Sequence, residues 1–233
     1  MMEKSINLTL RMLIPVLLAI AVLYTLLVWQ TRSPFPGRET ARIQFSDSVM
    51  YVTVVSDPQD SAILRTPCAE FSDKQLRSKQ FRILCGKMVS TVRSPQQDGV
   101  GIAAPQVGIS RRLIAVQRFD KEGEPFETYA NVYVDSLFGP VIRGQEGCLS
   151  LPGLRGIVPR HDSVIVRYTD PETLQVLRDT VGGFTAVIFQ HECDHLDGIL
   201  YTDRAELVND NPLWTQARAP FEEQGAYRKP KKW

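Results

Sequence analysis

Histidine and cysteine are scarce in this chain. Among 233 residues there are three His, at 161, 191 and 195, and four Cys, at 68, 85, 148 and 193. So few thiols, so widely spread, exclude a disulfide scaffold. An excess of one charge sign is also missing, with 27 Lys and Arg against 26 Asp and Glu. No basic surface is implied, so direct nucleic-acid binding finds no compositional support. Internal repeats are absent. What remains, 43% hydrophobic and 23% charged residues, is the balance of a globular domain and not of a disordered chain.

Long apolar runs are missing too, with one exception. From Met12 to Trp29, 16 of 18 residues are hydrophobic, and no charge falls between Arg11 and Arg32. That length is near the lower limit for a membrane-spanning helix, so residues 1–30 read as an anchor. A cleaved signal is the rival, yet the run ends Leu26-Leu27-Val28-Trp29 without a small-x-small pair, and no Cys follows closely. A start at Met50 would leave a soluble domain. Lys4 and Arg11 on one side against Arg32, Arg38 and Arg42 on the other barely choose an orientation.

Residues 31–49, with Pro34, Pro36 and Gly37, read as a linker. Met50–Val55 is short and β-prone. Ser72–Arg93 reads as one amphipathic helix, with Phe81, Leu84, Cys85, Met88 and Val92 on one face, a capping box from Ser72 and Gln75, and a stop at Ser94-Pro95. Short strands are expected at Leu113–Phe119, Tyr129–Leu137, Ser163–Tyr168 and Leu174–Thr180. A last helix should run from Phe184 to Leu196 and end at Gly198. Together these predict an α+β domain over 50–205, its short, mostly antiparallel strands packed around the C-terminal helix, and a polar, basic tail over 206–233.

That last helix contains His191-Glu192-Cys193-Asp194-His195, an H-E-x-x-H sequence. Residues four apart share a helix face, so the two imidazoles can grip one ion, while Glu192 can address a water beside it. A solvated charged helix is the competing account. Asp194 and Asp197 read equally as partners of a ligand histidine or as exposed carboxylates. Two His leave the site a ligand short, and no His lies downstream. Cys148, in Glu146-Gly147-Cys148-Leu149-Ser150, is a candidate third donor, with a small core residue as the alternative. Cys68, Cys85 and Cys193 read as core. Gly99-Val100-Gly101-Ile102-Ala103-Ala104-Pro105-Gln106 fails as a phosphate loop, and Gln106 could offer its amide to an oxyanion.

In that order the three segments match G-x-G-x-A-A-x-Q, E-G-C-L-S and Q-H-E-x-D-H, and the chain resembles the peptide deformylase family. Weaker similarity runs from Ile63-Leu64-Arg65 to Gly198. One departure is Asn131-Val132, where family members often have Asn-Pro. The resemblance implies hydrolysis of the N-formyl group from the starting methionine of new polypeptides, met at the ribosome, with release of formate. It implies Cys148, His191 and His195 as ligands of one divalent metal, natively Fe2+, with Zn2+, Ni2+ or Co2+ as substitutes and a water or hydroxide in the fourth position. Glu192 becomes the general base, and Gln106 with the Leu149 N–H the oxyanion donors. Gly101, Glu146, Arg155, Phe184 and Val187 fall at positions around the methionine pocket and peptide cleft. A substrate made in the cytosol, and a thiolate ligand, place the catalytic domain in the cytoplasm, with export as the alternative. A zinc endopeptidase and an inactive peptide-binding homologue are the rival readings.

Overall fold

The computed structural model describes residues 13–25 and 34–210. The chain divides into two units, Met1–Thr40 and Ala41–Trp233. In the first, residues 13–25 form an exposed helix, α1. Among the described residues no helix is long and apolar enough to cross a membrane. The rest of the Met12–Trp29 run, like residues 211–233 of the expected tail, lies outside the described residues.

The expected linker over 31–49 contains a helix, α2 (Gly37–Phe45). Glu39 in its first turn and Arg42 in its last suit the helix dipole. Buried Ile43 anchors it, and the Lys87 ammonium donates to the Ile43 and Ser46 carbonyls at 2.9 and 2.6 Å. Packing here overrides the local Pro and Gly signals. Met50–Val55 is extended but joins no strand; the Thr53 and Val55 amides bond the Gln106 and Ser150 carbonyls at 2.8 and 3.0 Å.

Three helices follow: α3 (Pro58–Leu64), α4 (Asp73–Leu76) and α5 (Lys79–Val92). The single helix expected over 72–93 is therefore two. The Ser72–Gln75 capping box forms as expected, but Ser78 caps a new start, its hydroxyl accepting from the Phe81 amide at 3.1 Å. The expected apolar face survives on α5, where Phe81, Leu84, Met88 and Val92 are buried and Cys85 is partly buried.

The sheet is antiparallel, in the order β1 (Gly101–Ala103), β2 (Leu113–Gln117), β3 (Phe126–Cys148), β4 (Leu151–Thr169), β5 (Val176–Gly182), with β6 (Leu207–Asp210) on β4. The α+β class is as expected, but β3 and β4 are not short. They form one long hairpin of 23 and 19 residues. Gly139, with φ of +72°, and Pro140 lie in the register shift between Phe138 and Val141, while Gly144, Gly156 and Pro159 pair in register within the ladder. Residues 207–210, assigned to the tail, pair with Leu154–Ile157.

The last helix, α6 (Gly183–Leu196), lies across the sheet. Phe189 is fully buried and meets the Tyr129 ring edge-on at 4.9 Å. Ala186, Ile188, Cys193 and Leu196 pack into the same core with Val164, Val166 and Val181. Eleven of the fourteen residues are buried, so the polar ones must find partners inside. Gln190 shows how: its amide nitrogen donates to the His161 carbonyl at 2.7 Å and its oxygen accepts the His161 amide at 3.2 Å, tying α6 to β4.

Candidate metal centre

The β3–β4 turn carries Cys148 up to the inner side of α6. Its sulfur lies 3.1 Å from His195 Nε2. One donor atom from each of Cys148, His191 and His195 fits within a span of 4.8 Å, among the described residues the one such cluster of His, Cys, Asp and Glu. A thiolate with two imidazoles suits a late first-row ion. Two further observations fit a metal. His191 Nδ1 is held 2.8 Å from Glu146 Oε2, which turns Nε2 toward the other donors. Burial pushes the His195 imidazole well below its ordinary pKa, into the neutral form that ligates, whereas His191, despite burial, is raised well above it by its hydrogen bonds with Cys148 and Glu146 and must give up its proton to bind an ion. The residues present therefore fit a bound divalent cation.

Beside these donors is Glu192. It is 4% exposed, and its Oε2 has no hydrogen-bond partner among the described residues. Burial, chiefly, pushes its carboxyl up to about 7. A Cβ on Gly101 would meet its Oε1 at 2.5 Å, so β1 needs glycine there. Gln106 is pinned by Oε1, which accepts the Ala103 amide at 2.8 Å. Its Nε2 faces Cys148 Sγ at 3.4 Å and Ser150 Oγ at 3.3 Å. A cleft of about 370 Å³ opens over this group, and Gly101, Gln106, Leu149, Arg155, Phe184 and Val187 all line it. Phe184 is 55% exposed at the mouth and Val187 half-buried. Arg155 is half-buried, its guanidinium against Gly147.

Glu146 lines the cleft, the place the resemblance implied for it, and has a further duty behind it. It borders the cleft but is 7% exposed, with both oxygens engaged: Oε1 accepts Arg160 Nε at 2.8 Å, and Oε2 accepts Arg160 Nη2 at 3.1 Å and faces His191 Nδ1. Despite burial, these hydrogen bonds from His191 and Arg160 hold its carboxyl down to about 2. It braces a ligand histidine from the edge of the cleft. The Glu146–Arg160 pair is thus buried. Asp194 is buried as well, between Arg160 and Arg204, while Asp197 takes Arg112 Nη1 at 2.6 Å. Sequence reasoning missed Tyr201, whose ring stacks on His191 at 6.0 Å, and Arg204; both lie outside the three motifs and carry no local signal.

A deep cleft, three convergent soft and nitrogen donors and an adjoining buried carboxyl define a metal-dependent hydrolase. The chain matches the polypeptide deformylase family over residues 51–211 and belongs to it. It is 35% identical over 149 residues to the peptide deformylase of Leptospira biflexa serovar Patoc, covering 61% of this chain and 82% of that one. The Met-Ala-Ser-bound structure of the class I type b peptide deformylase from Acinetobacter baumannii superposes with a TM-score of 0.59 at 34% identity, over 67% of this chain and 98% of that one. An actinonin complex of the Synechococcus elongatus peptide deformylase gives 0.59 at 30% identity, over 79% and 92%.

Proposed function

We propose that the cleft receives the formylated amino terminus of a new polypeptide and that Cys148, His191 and His195 hold one divalent metal, natively Fe2+. The reaction is hydrolysis of the N-formyl amide, giving formate and a free α-amine. The observation that carries the assignment is the meeting of Cys148 Sγ and His195 Nε2 at 3.1 Å, with the Glu192 carboxyl buried beside them. When bound, the metal polarises the formyl carbonyl and lowers the pKa of a water. Glu192 accepts the proton of the attacking water and delivers it to the departing nitrogen as the C–N bond breaks. Gln106 Nε2, whose present contacts are long, turns its N–H to the oxyanion with the Leu149 amide. Val187 and Phe184 offer the apolar wall for the methionine side chain. The peptide runs along β1, the end strand of the sheet order, with Arg155 donating to its carbonyls.

The assay that separates this from an endopeptidase is release of formate from formyl-Met-Ala against cleavage of an internal peptide bond. Internal cleavage without formate would overturn the reading, and neither product would leave a peptide-binding homologue. For placement, we propose a catalytic domain in the cytoplasm, meeting nascent chains at the ribosome and held to the membrane by the Met12–Trp29 segment. The supports are the cytosolic origin of the substrate, the oxidation-sensitive thiolate and the apolar run itself. Protease treatment of intact spheroplasts tests it: full-length membrane-bound protein, protected until lysis, is expected, and a shortened, accessible form refutes it.

A further inference from the structure

The polar chain behind His191 does not stop at Glu146. Arg160, 4% exposed, spends Nε and Nη2 on Glu146 and places Nη1 2.5 Å from Asp194 Oδ2. One buried guanidinium thus serves two buried carboxylates, and an unbalanced buried charge is costly. The second cation is Arg204. Its Nε and Nη2 reach Asp194 Oδ2 and Oδ1, each at 2.7 Å, a two-pronged contact that lysine cannot copy. The order is His191, Glu146, Arg160, Asp194, Arg204, with charges alternating along it.

Arg204 is fixed from behind. It closes the turn Tyr201–Asp203, its amide bonding the Tyr201 carbonyl at 3.0 Å, and the Glu206 amide then bonds the Ile157 carbonyl at 2.9 Å where β6 joins β4. The same turn lays the Tyr201 ring on His191, at 20° between planes. One short segment therefore touches the metal centre twice, by a ring on a ligand and by a guanidinium on the chain that orients that ligand. Arg204 is also the most exposed member of the chain, 46% by side chain, so it can be replaced without opening a core cavity.

We propose that Arg204 is a positioning residue for the metal site. By holding Asp194, it leaves Arg160 free to grip Glu146 with two nitrogens, and Glu146 then fixes the tautomer and tilt of His191. Without Arg204, Asp194 competes for Arg160 and the brace on His191 loosens. The inference rests on Cys148, His191 and His195 being the ligands.

The test uses the full chain loaded with Co2+, read by visible absorption and by chelator competition, with melting of the metal-free protein as the fold control. Arg204→Gln should weaken Co2+ retention severalfold, less than the about 10–100-fold expected for losing the direct partner of a ligand histidine, and shift the visible bands. Arg204→Lys should recover part of both. Melting of the metal-free protein should change little and alike in the two. Wild-type retention and bands in Arg204→Gln would overturn the proposal, as would lowered melting with unchanged bands. If Arg204→Gln does not fold, Arg204→Lys is read against wild type by the same two measurements. Cys148→Ala is the control for the underlying assignment. If it keeps Co2+, the ligand set is wrong; if it loses Co2+ while Arg204→Gln matches wild type, this inference alone fails.

Discussion

Gly101 and Glu192 are in contact across β1 and α6, so close that a Cβ on the glycine would lie 2.5 Å from the carboxylate oxygen and 2.7 Å from Ile188 Cγ2. The strand is seated on the helix through the one residue type that leaves the carboxyl its place. Neither partner can yield cheaply, because Glu192 and Ile188 are both buried in α6. Gly101→Ala should displace Glu192 and lower kcat by about 10²-fold, the cost of a small misplacement of a catalytic group. Metal content should stay at the wild-type level, since no ligand is touched. Steady-state kinetics with metal analysis checks both halves.

The ligand set and the base should separate cleanly. Cys148→Ala, His191→Ala and His195→Ala should each lose bound metal, because three donors leave none in reserve. Glu192→Gln should keep the metal and lose about 10²–10⁴ in kcat, the usual share of a general base. Full occupancy in the Cys148→Ala protein, by elemental analysis, contradicts the site.

Much of this centre could be read from residue types and spacing. Two His four apart on a helix bounded by Gly183 and Gly198 carry their meaning locally, whereas Cys148 by residue type alone reads as readily as a small core residue, and its place as third ligand comes from the resemblance. What could not be read is set by distance in the chain. Glu146 meets His191 across 45 residues and Arg160 meets Asp194 across 34, and nothing near either says which carboxylate faces the cleft and which faces the core. The long hairpin was hidden for another reason. Glycine and proline between Phe138 and Pro159 signal interruption, yet here they sit along strands that bend by shifting register. Ser78 split a helix that hydrophobic spacing ran together, because periodicity cannot see a side chain that prefers to cap.

Gln106 has two duties, so its substitutions should divide them. Its Oε1 holds the Ala103 amide and its Nε2 faces the sulfur of Cys148. Gln106→Ala should lower kcat by about 10²–10³, the usual loss of one oxyanion donor. Gln106→Glu keeps the acceptor for Ala103 while removing the donor, so it should retain the wild-type melting temperature better than Gln106→Ala yet be as slow. An unchanged kcat in either variant would assign Gln106 to structure alone.

Asn131 stands where the left-handed backbone, φ +49°, turns its side chain onto another segment. Its Oδ1 accepts the Phe71 amide at 2.7 Å and its Nδ2 donates to the Phe71 carbonyl at 3.0 Å, imitating a strand pair between chain regions 60 residues apart. Asn131→Ala should destabilise by about 1–3 kcal/mol, because two buried backbone groups lose their partners. Formate release per folded molecule should not change. Urea titration beside the activity assay distinguishes this from a role in the site.

Arg118 is the buried hub of a second network, meeting Asp120 Oδ1 and Oδ2 at 2.8 and 2.7 Å, Asp179 at 2.9 Å and the Tyr129 hydroxyl. The hydrogen bonds from Arg118 hold the Asp120 carboxyl below the ordinary aspartate value. A carboxyl depressed in the folded state adds stability that is present above its unfolded pKa, about 3.9, and is lost as pH falls through the lower folded value. Asp120→Asn cannot titrate. It should therefore be less stable than wild type at pH 7, and the gap should close as pH drops below about 4, where the wild-type carboxyl takes up its proton. Urea midpoints of the two proteins from pH 7 to pH 3 measure this, and a gap that stays constant across the range would show that Asp120 contributes shape and not charge.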